Sequence, residues 1–223
     1  MEESQVVMPQ RFGRILRALE CGVFFYLLPP SLYFVRHHLA FRVGALVLTV
    51  AALCMLYLIR TGAIRSGALW SPAHIRPRIG SILTLFLPVA FILVVLTALF
   101  LPSSLFVFPR QAPRIWFVTM VLYPIFAAIP QELIFRVFFF ARYGSLFPSR
   151  PALVFCNGIS FGLAHAFYGN WIALTLSTIG GLLFAYRYNR TQSLLTTSLE
   201  HGLWGDFLFT VGIGRFLYSG IIS

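Results

Sequence analysis

The sequence predicts an all-α, polytopic transmembrane bundle of about seven or eight helices, and three observations predict it. The first is composition: 59% of the 223 residues are hydrophobic and 10% are charged, against about 45–50% and 25% in an ordinary soluble domain. A mean hydropathy of +0.85 describes a surface whose solvent is lipid. The second is the recurrence of apolar runs near the ~18–20 residues that cross a bilayer core. The third is where the acids fall. Of six carboxylates, Glu2, Glu3 and Glu20 lie at or before the edge of the first run, while Glu132, Glu200 and Asp206 lie inside later ones.

The runs are read in order as residues 18–35, 39–59, 79–101, 115–141, 151–167, 170–186 and 192–210. Pro29-Pro30 predicts a kinked or re-entrant first segment. The tail 211–223 is apolar but short, a candidate return into the membrane as part of an eighth element. The longest polar connection is 60–78, and no internal repeat or soluble domain stands out, so residues 1–223 read as one membrane domain. No cleavable signal peptide is read at the N-terminus, because Glu2 and Glu3 interrupt a basic leader.

All 17 basic residues are arginines, scattered between the apolar runs. A net charge of +11 without a basic face argues against nucleic acid as a partner. The arginines read as interfacial anchors and topology signals. With the N-terminus inside, eleven of them fall on the cytoplasmic side, from Arg11 through Arg190, and Arg36, Arg42, Arg110, Arg114 and Arg215 fall outside. Arg136 lies within a run and is not counted. Eleven against five predicts a cytoplasmic N-terminus. Cys21, Cys54 and Cys156 show no metal-ligand spacing and read as small core residues.

An ionisable side chain in the hydrocarbon region is by default a functional candidate with a partner to be found. Glu132 is ten residues from Arg142, His165 fifteen from Arg150 and His201 eleven from Arg190. A rise of 1.5 Å per residue sets all three roughly 15–22 Å from one face, near the middle of a core of about 30 Å. Arg136, four residues after Glu132, shares its helix face and can neutralise it. The pairs Gly158/Gly162 and Ser177/Gly181 predict close helix approach. A glutamate with two histidines can polarise a water for peptide hydrolysis or hold a divalent metal.

Three stretches carry a family resemblance, covering roughly residues 120–216. Gln131-Glu132-Leu133-Ile134-Phe135-Arg136 resembles a Glu-Glu-xxx-Arg motif. Phe161-Gly162-Leu163-Ala164-His165 resembles Phe-xxx-His, and the stretch His201 to Asp206 resembles a His followed four residues later by Asn or Asp. Together they resemble the CAAX protease and bacteriocin-processing family of intramembrane proteases, in a compact prokaryotic form. The resemblance implies an endopeptidase in a prokaryotic cytoplasmic membrane, acting on a membrane-anchored protein or peptide near its C-terminus. It implies Glu132 as the base, Arg136 as its neighbour, His165 as its partner on the water, and His201 with Asp206 as oxyanion stabilisers. It implies no certain cofactor; where a member uses zinc, the corresponding ligands here are Glu132, His165 and His201. Two departures stand out. The first acid of the motif is Gln131, and Asp206 comes five residues after His201, about 140° round a regular helix.

Gly158-Ile159-Ser160-Phe161-Gly162 matches a serine-hydrolase pattern but sits in a predicted membrane helix, without the strand-to-helix elbow that motif needs. His37, His38 and His74 are expected in solvated loops. A single aspartate excludes an aspartyl dyad within the chain, and no His-Glu-x-x-His zinc motif occurs. A proton-coupled transporter would also use buried Glu and His, and a non-catalytic scaffold or immunity protein would tolerate Gln131.

Overall fold

The computed structural model describes residues 10–39, 43–63, 69–71 and 75–218. It is 90% helical, with no strand among the described residues. Seven helices make the bundle: α1 (Arg11–His38), α2 (Val43–Arg60), α3 (Arg76–Phe100), α4 (Pro113–Leu146), α5 (Arg150–His165), α6 (Trp171–Thr191) and α7 (Leu194–Val211). A short helical turn over Val107–Gln111 joins α3 to α4, and one over Ile213–Leu217 follows α7. The described part of the tail is therefore a single 3-10 turn; residues 219–223 lie outside the described chain.

Helices α1 to α4 are each long and apolar enough to cross a bilayer by length and composition. Helices α5 to α7 are shorter or more polar, and they hold most of the buried polar side chains, including Asn157, Thr196, Thr197, Glu200 and His201. Large apolar residues such as Phe91, Leu99, Ile115 and Phe117 instead point outward from α3 and α4. Apolar outside and polar inside is the pattern expected when lipid is the solvent.

Pro29-Pro30 does not turn the first segment back. The chain stays helical through them, with a π-turn before at Gly22–Leu27 and a 3-10 turn after at Leu32–Val35. Those two local changes in winding accommodate the carbonyls left without a donor by the two prolines. His37 and His38 are exposed as expected, but on the last helical turn of α1 rather than in a loop. His74 lies outside the described residues.

Two ends of the bundle are tied by contacts distant in sequence. At one, Arg142 pairs with Glu20 at 2.7 Å and bonds Tyr57, while Arg187 pairs with Glu200 at 2.6 Å and bonds Ser81. At the other, Arg215 bonds Ser104, Trp116 bonds Thr210, and Asn170 bonds the Phe216 carbonyl. Arg142 and Arg187, counted as interfacial signals in the sequence, are thus also internal partners for two of the few acids.

The α5–α6 contact is close because Gly158 and Gly181 face each other. A Cβ on Gly181 would sit against the Gly158 carbonyl, and one on Gly158 would overlap Leu182. Backbone approach of this kind is how membrane helices pack without a hydrophobic driving force. Cys21 and Cys54 are buried in the core, and all three cysteines are free thiols.

Candidate active site

Helix α4 is not regular around its polar motif. It winds as π-turns over Pro124–Ala128 and again over Leu133–Phe138, leaving four residues, Ile129–Glu132, between them. Wide turns of this kind appear in helices mostly at functional sites. They re-aim the two neighbouring side chains. Gln131 faces a cavity, whereas Glu132 points into the bundle and is completely buried.

Glu132 is held by two partners. Its Oε1 lies 2.9 Å from His201 Nδ1, and its Oε2 lies 3.2 Å from Arg136 Nε. The arginine contact is out of line for a hydrogen bond, so charge rather than a directed bond holds that side. Arg136 is itself fully buried, with its guanidinium 4.7 Å from the Phe161 ring centre and one N–H reaching the Gly181 carbonyl at 3.4 Å. Aromatic faces of this sort stabilise a desolvated cation.

The two histidines are fixed in orientation by different means. His201 donates from Nδ1 to the Glu132 carboxylate, which leaves Nε2 as an acceptor for the Tyr123 hydroxyl at 3.1 Å. The Phe184 ring stacks on His201 at 4.6 Å. His165 donates from Nδ1 to the Phe161 carbonyl of its own helix at 2.9 Å, so its Nε2 also carries a lone pair. Phe161 lies between them, with ring centres 4.7 Å from His165 and 5.5 Å from His201.

Both histidines, Gln131, Tyr123 and Trp204 open on one cavity of about 240 Å³ lined by α3, α4, α5, α6 and α7. Most of its wall is apolar, shared between aliphatic side chains such as Leu93 and Leu183 and aromatic ones such as Phe184 and Phe209. The Oε1 of Gln131 and the indole Nε1 of Trp204 are buried without hydrogen-bond partners. Such orphaned polar atoms in a polar-tipped apolar cleft mark a place where a ligand or water completes the bonding.

The structure therefore brings Glu132, Arg136 and His201 into direct contact and sets His165 on the same cavity without a bond to Glu132. Asp206 stays apart: its Oδ1 is buried without a partner and its side chain does not line the cavity. Ser160 bonds its own helix at the Asn157 carbonyl and is fully buried, so it packs rather than attacks. The zinc reading finds no donor set, because among the described residues no three His, Cys, Asp or Glu side chains converge. Both oxygens of Glu132 already face His201 and Arg136.

Tyr123 and Trp204 carried no signal in the sequence. Tyr123 reaches His201 across 78 residues of chain, and the contact depends on Gly205, where any Cβ would overlap the tyrosine ring.

Residues 113–205 match the family model described as Type II CAAX prenyl endopeptidase Rce1-like. The matched stretch contains Glu132, Arg136, His165 and His201 and stops one residue before Asp206. This supports the CAAX-protease resemblance and intramembrane protease function of that general kind. No curated protein and no solved structure matches the chain.

Proposed function

We propose that the protein is an intramembrane endopeptidase that cleaves a membrane-associated protein or peptide near its C-terminus. The observation that carries this reading is the 2.9 Å contact between Glu132 and His201, whose far nitrogen opens on the cavity shared with His165. A carboxylate behind an imidazole fixes its tautomer and stabilises the imidazolium when the ring takes a proton. A water displacing the Tyr123 hydroxyl from His201 Nε2 gives up its proton there and adds to the scissile carbonyl. The proton passes to the leaving amine as the C–N bond breaks. His165 Nε2 accepts a hydrogen bond from the same water and orients it. The Gln131 amide and the Trp204 indole supply N–H donors for the developing oxyanion.

In this scheme Glu132 acts through His201 rather than on the water, and Arg136 is the buried carboxylate's counter-charge at 3.2 Å. Asp206 has no step. The side chains alone carry the chemistry. The membrane assigned is a prokaryotic cytoplasmic one, with the N-terminus inside.

The test is a comparison of membrane-protein termini in cells expressing the wild type, His201→Ala or His165→Ala. New C-terminal truncations that appear with the wild type and vanish in both variants support a peptidase. A folded wild type that generates no new terminus sinks the proposal. One observation favours a second reading, a non-catalytic scaffold: Gln131, not a carboxylate, faces the cavity. A scaffold leaves the termini unchanged yet keeps its cellular role in His201→Ala.

A further inference from the structure

Three arginines from three helices meet at a recess outside the candidate active site. Arg78 stands in the first turn of α3, Arg150 is the first residue of α5, and Arg190 is in the last turn of α6. With Asn189 and Gln192 they line a polar cavity of about 460 Å³. None of the three guanidinium groups makes a hydrogen bond or ion pair among the described residues. Several arginines elsewhere are engaged, Arg142 with Glu20, Arg187 with Glu200, Arg36 with the Tyr33 carbonyl and Arg215 with Ser104, whereas exposed Arg60 and Arg76 are not, among the described residues, and do not line a recess.

Among the described residues no internal anion is left to serve them. Glu20, Glu132 and Glu200 are each paired, and Asp206 belongs near the other end of α7, sixteen residues along the chain from Arg190. Three cations converging without a counter-ion repel one another, so an external anion lowers the energy of the arrangement. Guanidinium groups present paired N–H donors that match phosphate oxygens two at a time. The recess lies where helices end, at the first turn of the candidate span α3, with Asn189 and Gln192 adding uncharged donors. Gln192 is itself pinned in a left-handed conformation, φ 50°, by the turn between α6 and α7, where its amide bonds the Tyr188 carbonyl.

We propose that this recess binds the phosphate of an anionic phospholipid headgroup from the adjoining leaflet. Basic pockets between membrane helices take such headgroups. The bound lipid bridges the starts of α3 and α5 and the end of α6, and so fastens the scaffold of the bundle. This inference is independent of any peptidase activity.

The full-length protein is purified in detergent and equilibrated with phosphatidylglycerol, phosphatidylcholine or inorganic phosphate. Retained lipid is then read by native mass spectrometry, and thermal unfolding is followed in parallel. Wild type should retain one phosphatidylglycerol in preference to phosphatidylcholine. Arg78→Gln/Arg150→Gln/Arg190→Gln should lose that preference by about tenfold or more. The control Arg60→Gln/Arg76→Gln, which removes two exposed arginines that do not line the recess, should keep it. All three proteins should unfold at similar temperatures in phosphatidylcholine alone, since the altered side chains have no internal partners. Equal retention by the triple variant overturns the proposal. So does stabilisation by inorganic phosphate with no preference for the lipid, which would assign the recess to a soluble anion.

Discussion

His201 Nδ1 lies 2.9 Å from Glu132 Oε1 in a site where the carboxylate is sealed from the cavity and the imidazole is not. In the proposed scheme the glutamate therefore acts through the histidine. Replacing it with glutamine keeps the shape and an acceptor for Nδ1–H but removes the charge that stabilises the imidazolium. Glu132→Gln should lower kcat/KM by about 10²–10⁴ with KM little changed. Because Arg136 then loses its counter-charge, the double variant Glu132→Gln/Arg136→Met separates folding from chemistry. It should unfold near the wild-type temperature and remain inactive.

Gln131 is the cavity-facing member of the Gln131-Glu132 pair. Gln131→Glu sets a second carboxylate beside the two histidines, where it can accept a proton from a bound water directly. Peptidase turnover should rise, by about tenfold or more. Measured on the same membrane substrate, a gain that survives Glu132→Gln would show that the new carboxylate has replaced the buried one as the source of basicity.

Helix number and approximate bounds were legible because a lipid solvent imposes long apolar runs, and the runs at 79–101 and 192–210 lie within a few residues of α3 and α7. Winding was not legible. Two π-turns in α4 flank the Gln131-Glu132 pair, and Gln131, not Glu132, meets the cavity. The Glu132–Arg136 pair was readable, since four residues along a helix fix proximity. The Tyr123–His201 contact was not, since it depends on how near α7 lies to α4. The partners of Arg142 and Arg187 were not legible for a related reason: charge counting assigns a side of the membrane but not a partner.

Among the described residues, the two histidine Nε2 atoms reach the cavity, that of His201 held by the Tyr123 hydroxyl, while Glu132 is engaged on both oxygens. A catalytic zinc ion ordinarily has three protein ligands. Dialysis of the purified protein against a chelator should therefore leave both its unfolding temperature and its peptidase activity unchanged. Metal content measured on the same samples, together with lost activity restored by added zinc, is the contrary result.

Gly205 lets the Tyr123 ring reach His201. A methyl group in Gly205→Ala must push that ring or the whole of α4 aside. Overpacking of this kind costs about 1–3 kcal/mol, and here it also removes the hydroxyl from His201 Nε2. The variant should unfold at a lower temperature and lose activity. Tyr123→Phe, which deletes the hydroxyl without crowding, should fold normally and change the rate by no more than about tenfold.

Arg187 and Glu200 form a second buried pair, with two N–H···O contacts of 2.6 and 3.0 Å and a third bond from Arg187 to Ser81. It joins α6 to α7 and both to α3, and neither residue lines the cavity. Its role is therefore structural, in contrast to Glu132 and His201. Arg187→Met strands a fully buried carboxylate and should destabilise the fold by about 3–5 kcal/mol. Arg187→Met/Glu200→Leu removes both charges and should recover most of that loss, because an apolar pair of similar volume suits a low-dielectric interior. Thermal unfolding in detergent measures both. Peptidase activity per folded molecule should be near wild type in the double variant, whereas Glu132→Gln/Arg136→Met, equally neutral in charge, should have none. That difference separates the pair that holds the helices from the pair that serves the imidazole.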